Sequence, residues 1–240
     1  MFYLRLAAAM LGFVAASVYG LAIALVRRDR SAVASDYARV LARLMCPPLG
    51  LRLTVQGAEN LTAHRPCVFI GNHQSALDVP ILASVFAPGS VVIAKKEVGA
   101  VPFFGWLYTS TGNLLIDRAD TSQSVGRLHE AEEAIRDRRA AVWIFPEGTR
   151  GPGDGTMLPF KKGGFQMAVR TGAPLVPVVI SPLKPNFDIS TRTLRPGPVQ
   201  IRVLDAIPTD GLTEADIPAL MEMARGRMEG ALGEGPSPGS

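Results

Sequence analysis

The spacing of apolar positions changes sharply along the chain. Residues 6–26 run for 21 positions without a charged side chain, between Arg5 and the cluster Arg27, Arg28 and Arg30. A helix of that length just crosses the hydrocarbon core of a bilayer. In residues 31–45 the pattern becomes amphipathic, with Val33, Tyr37, Val40, Leu41 and Leu44 on one helical side and Arg39 and Arg43 on another. Ser31 is placed to cap this second helix, and Cys46-Pro47-Pro48 is expected to stop it. From residue 49 onward, short apolar runs alternate with helical patterns between Gly and Pro punctuation. Strands are predicted at 51–56, 66–70, 91–94, 113–116, 141–145, 175–180 and 199–203, and helices at 79–86, 103–109, 122–138, 164–171 and 217–229. This alternation predicts an α/β sandwich around a mostly parallel or mixed sheet of about seven strands. Residues 182–197, rich in Pro, Gly and polar side chains, read as a surface loop.

Three parts follow: a helical hairpin at 1–48, a globular domain at 49–232 and a disordered tail at 233–240. The hairpin is expected to associate with a membrane, either crossing it or dipping into one leaflet. Its Arg cluster would stay at the cytoplasmic surface by the positive-inside tendency. A buried soluble helix and a cleaved signal peptide compete for residues 6–26. The thin basic region before them and their length weigh against the signal peptide. Composition adds little to this. The formal net charge of +4 over 240 residues suits an anionic substrate or membrane surface as well as an ordinary protein. The two cysteines, Cys46 and Cys67, lie in apolar segments and read as buried thiols. No Cys/His spacing marks a metal site, and no phosphate-binding Gly-rich fingerprint is present. Neither a metal, a cofactor nor a nucleic-acid partner is expected.

Candidate chemistry gathers where predicted strands end. The stretch 71–78, GNHQSALD, follows the strand at 66–70 and precedes a helix. Residues five apart on one helix face apart, so His73 and Asp78 meet only if His73 lies in the turn and Asp78 in the first helical turn. Ser75 with Asp78 resembles a capping box that would supply that geometry. A histidine held by a carboxylate can act as a base near neutral pH. The ordinary alternative is a surface cap with a satisfied polar pair. Residues 145–150, FPEGTR, place Glu147, Gly148, Thr149 and Arg150 in a turn after the strand at 141–145, and an arginine fork suits a phosphate. Residues 112–118, GNLLIDR, end in Asp117 and Arg118. Residues 160–164, FKKGG, put Lys161 before a helix. Each is equally readable as a solvated charge or an edge ion pair, and so are Lys95 and Lys96. A G-x-S-x-G elbow is absent, so Ser75 reads as a cap rather than a nucleophile.

Taken in order, NHQSALD, GNLLIDR, FPEGTR and the late apolar block LVPVVI with Pro177 resemble the signature motifs of the glycerolipid acyltransferases. The likeness is strongest to the 1-acyl-sn-glycerol-3-phosphate (lysophosphatidic acid) acyltransferases and covers roughly residues 55–180. The resemblance implies that His73 is the general base for the acceptor hydroxyl and that Asp78 orients it. It implies an acceptor-phosphate site from Arg118, Glu147, Gly148, Thr149 and Arg150; Asn72, beside His73, and Lys161, before its helix, are expected as further substrate contacts. The acyl donor would be acyl-CoA or acyl-acyl-carrier protein and the product phosphatidic acid. Glu147 sits oddly in such a site, because a carboxylate repels phosphate. The alternatives are acylation of another lysolipid such as a lyso-aminolipid, a membrane-bound hydrolase using Ser75 or Cys67, or a non-catalytic anionic-lipid-binding protein.

Overall fold

The computed structural model describes residues 1–117 and 121–233; Arg118 and the tail 234–240 lie outside the described residues. Two long helices open the chain, α1 (Phe2–Val26) and α2 (Arg30–Leu49). They pack antiparallel at close range because Gly12 and Gly20 leave room. A Cβ at Gly12 would stand 2.5 Å from the Leu44 carbonyl oxygen, and one at Gly20 would stand 2.7 Å from the Tyr37 ring. By length and composition α1 is able to cross a membrane. Leu4, Met10, Leu11, Val14, Val18 and Leu25 along it are exposed, a longer apolar row than scattered surface leucines produce.

The details of α2 differ from the pattern-based expectation. Asp29, not Ser31, caps it, accepting from the backbone N–H of Ser31 at 3.0 Å and of Ala32 at 3.1 Å. The Ser31 hydroxyl instead accepts from Gly89 N–H. Pro47 and Pro48 do not stop the helix but sit in its last turn. Gly50, left-handed at φ 75°, closes the end by donating to the Cys46 and Pro47 carbonyls.

The remaining elements are β1 (Leu51–Gln56), α3 (Asn60–Ala63), β2 (Cys67–Gly71), α4 (Asp78–Ala83), β3 (Ser90–Lys95), α5 (Phe104–Ser110), β4 (Leu114–Ile116), α6 (Thr121–Arg138), β5 (Ala141–Ile144), α7 (Gly163–Thr171), β6 (Leu175–Ile180), β7 (Phe187–Asp188), β8 (Thr193–Leu194), β9 (Gly197–Val203) and α8 (Ile217–Gly233). Seven strands form one sheet in the order β1-β9-β6-β2-β5-β3-β4. Its pairs are parallel except β6 with β9, so β1 and β9 run against the other five. Within the segment read as a surface loop, β7 and β8 make a small hairpin. Pro177 is tolerated inside β6 because its missing N–H faces the β9 side, where the ladder starts only at Val178.

Alternate residues of the central strand β2 feed two cores. Cys67 and Phe69 join an apolar cluster with α1, α2, α4 and Leu107 of α5, while Val68 and Ile70 join one with α6, α7 and α8. The hairpin therefore shares its core with the sheet. Phe69 pairs with Trp143 across β2 and β5, and their rings stack at 4.3 Å. Burying one side chain of this size contributes roughly 1.5–3 kcal/mol. Five parallel strands ending at one edge bring together loops far apart in sequence. Between β5 and β6 the chain crosses β2, which puts the β2 and β5 loops side by side at the sheet's centre.

Candidate active site

The loop after β2 is folded around one carboxylate. Asp78 is fully buried, and its Oδ2 accepts from His73 Nδ1 at 2.7 Å, Gln74 N–H at 2.8 Å and Ser75 N–H at 2.9 Å. His73 is thus in the turn and Asp78 opens α4, the arrangement the five-residue offset required. Only half of the expected capping box forms. Asp78 takes the Ser75 N–H, while the Ser75 hydroxyl accepts from Leu77 N–H at 3.2 Å rather than from Asp78 N–H, which donates to the Ser75 carbonyl at 3.3 Å. The imidazole lies flat on Phe145, with ring centroids 4.1 Å apart. It is pinned further through its own backbone: His73 N–H donates to Glu147 Oε1 at 2.7 Å, and its carbonyl accepts from Gly151 N–H at 2.8 Å.

Asn72 and Glu147 stand apart from the substrate-facing positions expected of them. Asn72 is buried, and its amide exchanges two hydrogen bonds with the backbone of Ile180, donating at 3.0 Å and accepting at 2.8 Å. It ties the end of β2 to the end of β6. Gln74 continues that seam through the carbonyls of Ile180 and Ser181 and the N–H of Leu183. Glu147 is 3% exposed and spends its second oxygen on Leu158 N–H at 2.7 Å. Burial raises its carboxyl above the ordinary value, and the two backbone donors pull it partly back. Both Glu147 oxygens thus accept backbone donors inside the protein, away from the cavity lining.

The FPEGTR turn presents a different surface. Gly148 adopts φ 68°, and a Cβ there would lie 2.8 Å from Lys161 Cε, so the stem of Lys161 runs across it. Thr149, Arg150 and Lys161 are exposed. Among the described residues no hydrogen bond or ion pair holds the Arg150 guanidinium.

Below this turn lies a largely apolar cavity of about 340 Å³. Tyr37, Leu41, Leu82, Phe86, Leu107 and Tyr108 line it, so α2, α4 and α5 supply its walls; His73, Asp78, Thr149 and Arg150 line it as well. Asn72, Glu147, Gly148 and Lys161 are outside that lining. Cys67, fully buried in β2, has its thiol pushed up to about 12 by burial. Neither it nor the engaged Ser75 offers a nucleophile beside His73. Sequence patterns passed over Gln74, the stacking role of Phe145 and the Leu158 N–H. The first two lie inside the quoted motifs; the third carries no side-chain signal at all.

Known proteins resemble this chain in sequence and in fold. A sequence model of the family described as Acyltransferase matches residues 52–181. A 1-acyl-sn-glycerol-3-phosphate acyltransferase of Saccharomyces cerevisiae is 38% identical over 202 residues, covering 82% of this chain and 65% of its own length. The alpha form of Homo sapiens is 37% identical over 182 residues, 75% of this chain and 63% of its own length. The chain thus spans about two thirds of these relatives. The crystal structure of the 1-acyl-sn-glycerophosphate (LPA) acyltransferase PlsC from Thermotoga maritima superposes with a TM-score of 0.75 at 24% identity, covering 98% of both chains, and shares the fold. With its His–Asp pair, its FPEGTR turn and these relatives, the chain belongs to the acyltransferase family.

Proposed function

We propose that this protein transfers a fatty acyl group from acyl-CoA or acyl-acyl-carrier protein to the free hydroxyl of 1-acyl-sn-glycerol-3-phosphate, giving phosphatidic acid. One observation carries the reading: the His73–Asp78 pair and the exposed Arg150 line the same apolar cavity. An ionised Asp78 only accepts hydrogen bonds, so the proton of the 2.7 Å contact sits on His73 Nδ1 and Nε2 keeps its lone pair. Nε2 takes the acceptor hydroxyl proton as the oxygen adds to the thioester carbonyl. The tetrahedral intermediate then expels the thiolate, which recovers that proton from the imidazolium. Asp78 favours the imidazolium, and Phe145 and the backbone clamps hold the ring in place. No acyl-enzyme is formed.

Arg150 would bind the acceptor phosphate with its planar donor fork, joined by Arg118 and Lys161. Thr149 and Gly148 shape the turn beside it. The cavity walled by α2, α4 and α5 would take an acyl chain. The exposed apolar row of α1 would seat the enzyme in the leaflet that holds its lipid substrate, with the catalytic domain on the cytoplasmic side. The relatives named for the same acceptor support this choice over other lysolipids.

The test is thiol release by the purified full chain, with acyl-CoA and 1-acyl-sn-glycerol-3-phosphate varied and a panel of other lysolipids beside it. Release that needs the acceptor and disappears in His73→Ala is expected. Release without any acceptor would indicate a hydrolase, and preference for a head group lacking phosphate would overturn the acceptor assignment.

A further inference from the structure

Between FPEGTR and α7 the chain runs through residues 151–162 without a helix or strand. What holds the middle of this segment is the C-terminal helix. Arg225 of α8 donates from Nη2 to the Met157 carbonyl at 2.7 Å and from Nη1 to the Leu158 carbonyl at 2.8 Å. Its guanidinium carbon lies 5.4 Å from the centre of the Phe160 ring, and its Nε meets Glu229 at 2.8 Å. One planar fork on two successive carbonyls is a geometry that lysine cannot reproduce. The gripped segment has two connections to the site. Leu158 N–H donates to Glu147, whose other oxygen holds His73 N–H. Lys161 donates its backbone N–H to the Pro146 carbonyl at 2.8 Å and lays its stem across Gly148, two residues before Arg150 in the turn.

We propose that Arg225 is a positioning residue for the acceptor half of the site. From outside the motif-bearing region it fixes residues 157–160 in the register that brings Lys161 over the FPEGTR turn and keeps the Leu158 N–H on Glu147. The kinetic form of this proposal rests on the acyl-transfer reading above; its structural form does not.

Both forms are measurable on Arg225→Met and Arg225→Lys in the full chain. In acyl transfer, Arg225→Met should raise KM for 1-acyl-sn-glycerol-3-phosphate roughly tenfold, the scale of one lost charge-assisted hydrogen bond, with KM for acyl-CoA unchanged. Arg225→Lys, able to reach one carbonyl at a time, should recover part of that rise. A fall in turnover and melting temperature with both KM values unchanged would mean a merely structural contact and overturn the proposal. Hydrogen–deuterium exchange reads the same link without activity: amides of residues 71–75 and 157–162 should exchange faster in either variant than in wild type. Unaltered exchange at 71–75 would overturn the route through Glu147. Should Arg225→Met fail to fold, Arg225→Lys decides by the same two criteria. A wild-type chain that transfers no acyl group to this acceptor would sink the activity reading alone, with the exchange result still standing for or against Arg225.

Discussion

The loops after β2 and β5 lie side by side at the sheet's centre, yet they are held in opposite ways. In the β2 loop most polar groups are engaged: Asp78 through Oδ2 on three donors, Asn72 and Gln74 on the β6 end, and His73 by its backbone on Glu147 and Gly151. In the β5 loop Glu147 faces inward and is saturated, while Thr149 and Arg150 are left exposed. Proton transfer needs one ring in one orientation, and the energy of that order is supplied by backbone hydrogen bonds that no substrate has to make. Recognition of a dianionic head group needs cations that remain available, and a guanidinium already tied to a carboxylate would serve poorly.

This contrast can be broken from either side. His73→Ala should have the largest effect, lowering acyl transfer by roughly a thousandfold, within the range of a lost general base; thiol release checks it. Asp78→Asn should come next. It keeps the shape but has one acceptor oxygen that prefers no particular tautomer, so turnover should drop by about a hundredfold with little change in either KM. Arg150→Ala should leave turnover nearly intact and raise KM for the phosphate acceptor roughly tenfold or more, as one or two charge-assisted hydrogen bonds are lost. If turnover fell instead and KM held, the division of labour between the loops would be wrong.

Glu147→Gln sharpens the comparison. Glutamine turns an NH₂ toward one of two buried N–H donors, so stability should fall by about 1–3 kcal/mol in urea melts. Its pH dependence has a sign. Burial raises the Glu147 carboxyl above its ordinary 4.5, so the folded state binds the proton more tightly than the unfolded chain. The corresponding stability is present below that value and is lost as pH rises through the raised one. The wild-type advantage over Glu147→Gln should therefore shrink as pH rises through this window. Ser75→Ala should have the smallest effect. Its hydroxyl accepts one hydrogen bond from Leu77, so turnover should stay within about twofold and stability fall by about 1 kcal/mol.

How far a residue's role could be read from the chain followed from how local its partners are. The strands were legible because their apolar runs are bounded by Gly and Pro, and β1 and β6 match the pattern residue for residue. The start and end of α2 were not. Asp29 competes with Ser31 for the cap, and although neither proline can donate to the carbonyl four residues back, α2 runs through Pro47 and Pro48 to close at Gly50. The His73–Asp78 contact spans five positions, so turn geometry alone predicted its form. The bonds that define Glu147 and Asn72 span 74 and 108 positions, and those of Arg225 span 67 and 68. No periodicity or motif encodes such distances.

By itself, then, the sequence determined the α/β alternation, the apolar leading helix, and the pairing of a histidine with a carboxylate across a single turn. All of these depend on side-chain period and on preferences acting over a few residues. The tertiary structure decided which polar side chains line the cavity and which are consumed within the protein. That choice depends on strand order: only when β5 and β6 flank β2 does a carboxylate from one loop meet the backbone of His73 in another. The same order leaves Arg150 without a side-chain partner among the described residues, exposed in the cavity lining that also holds His73.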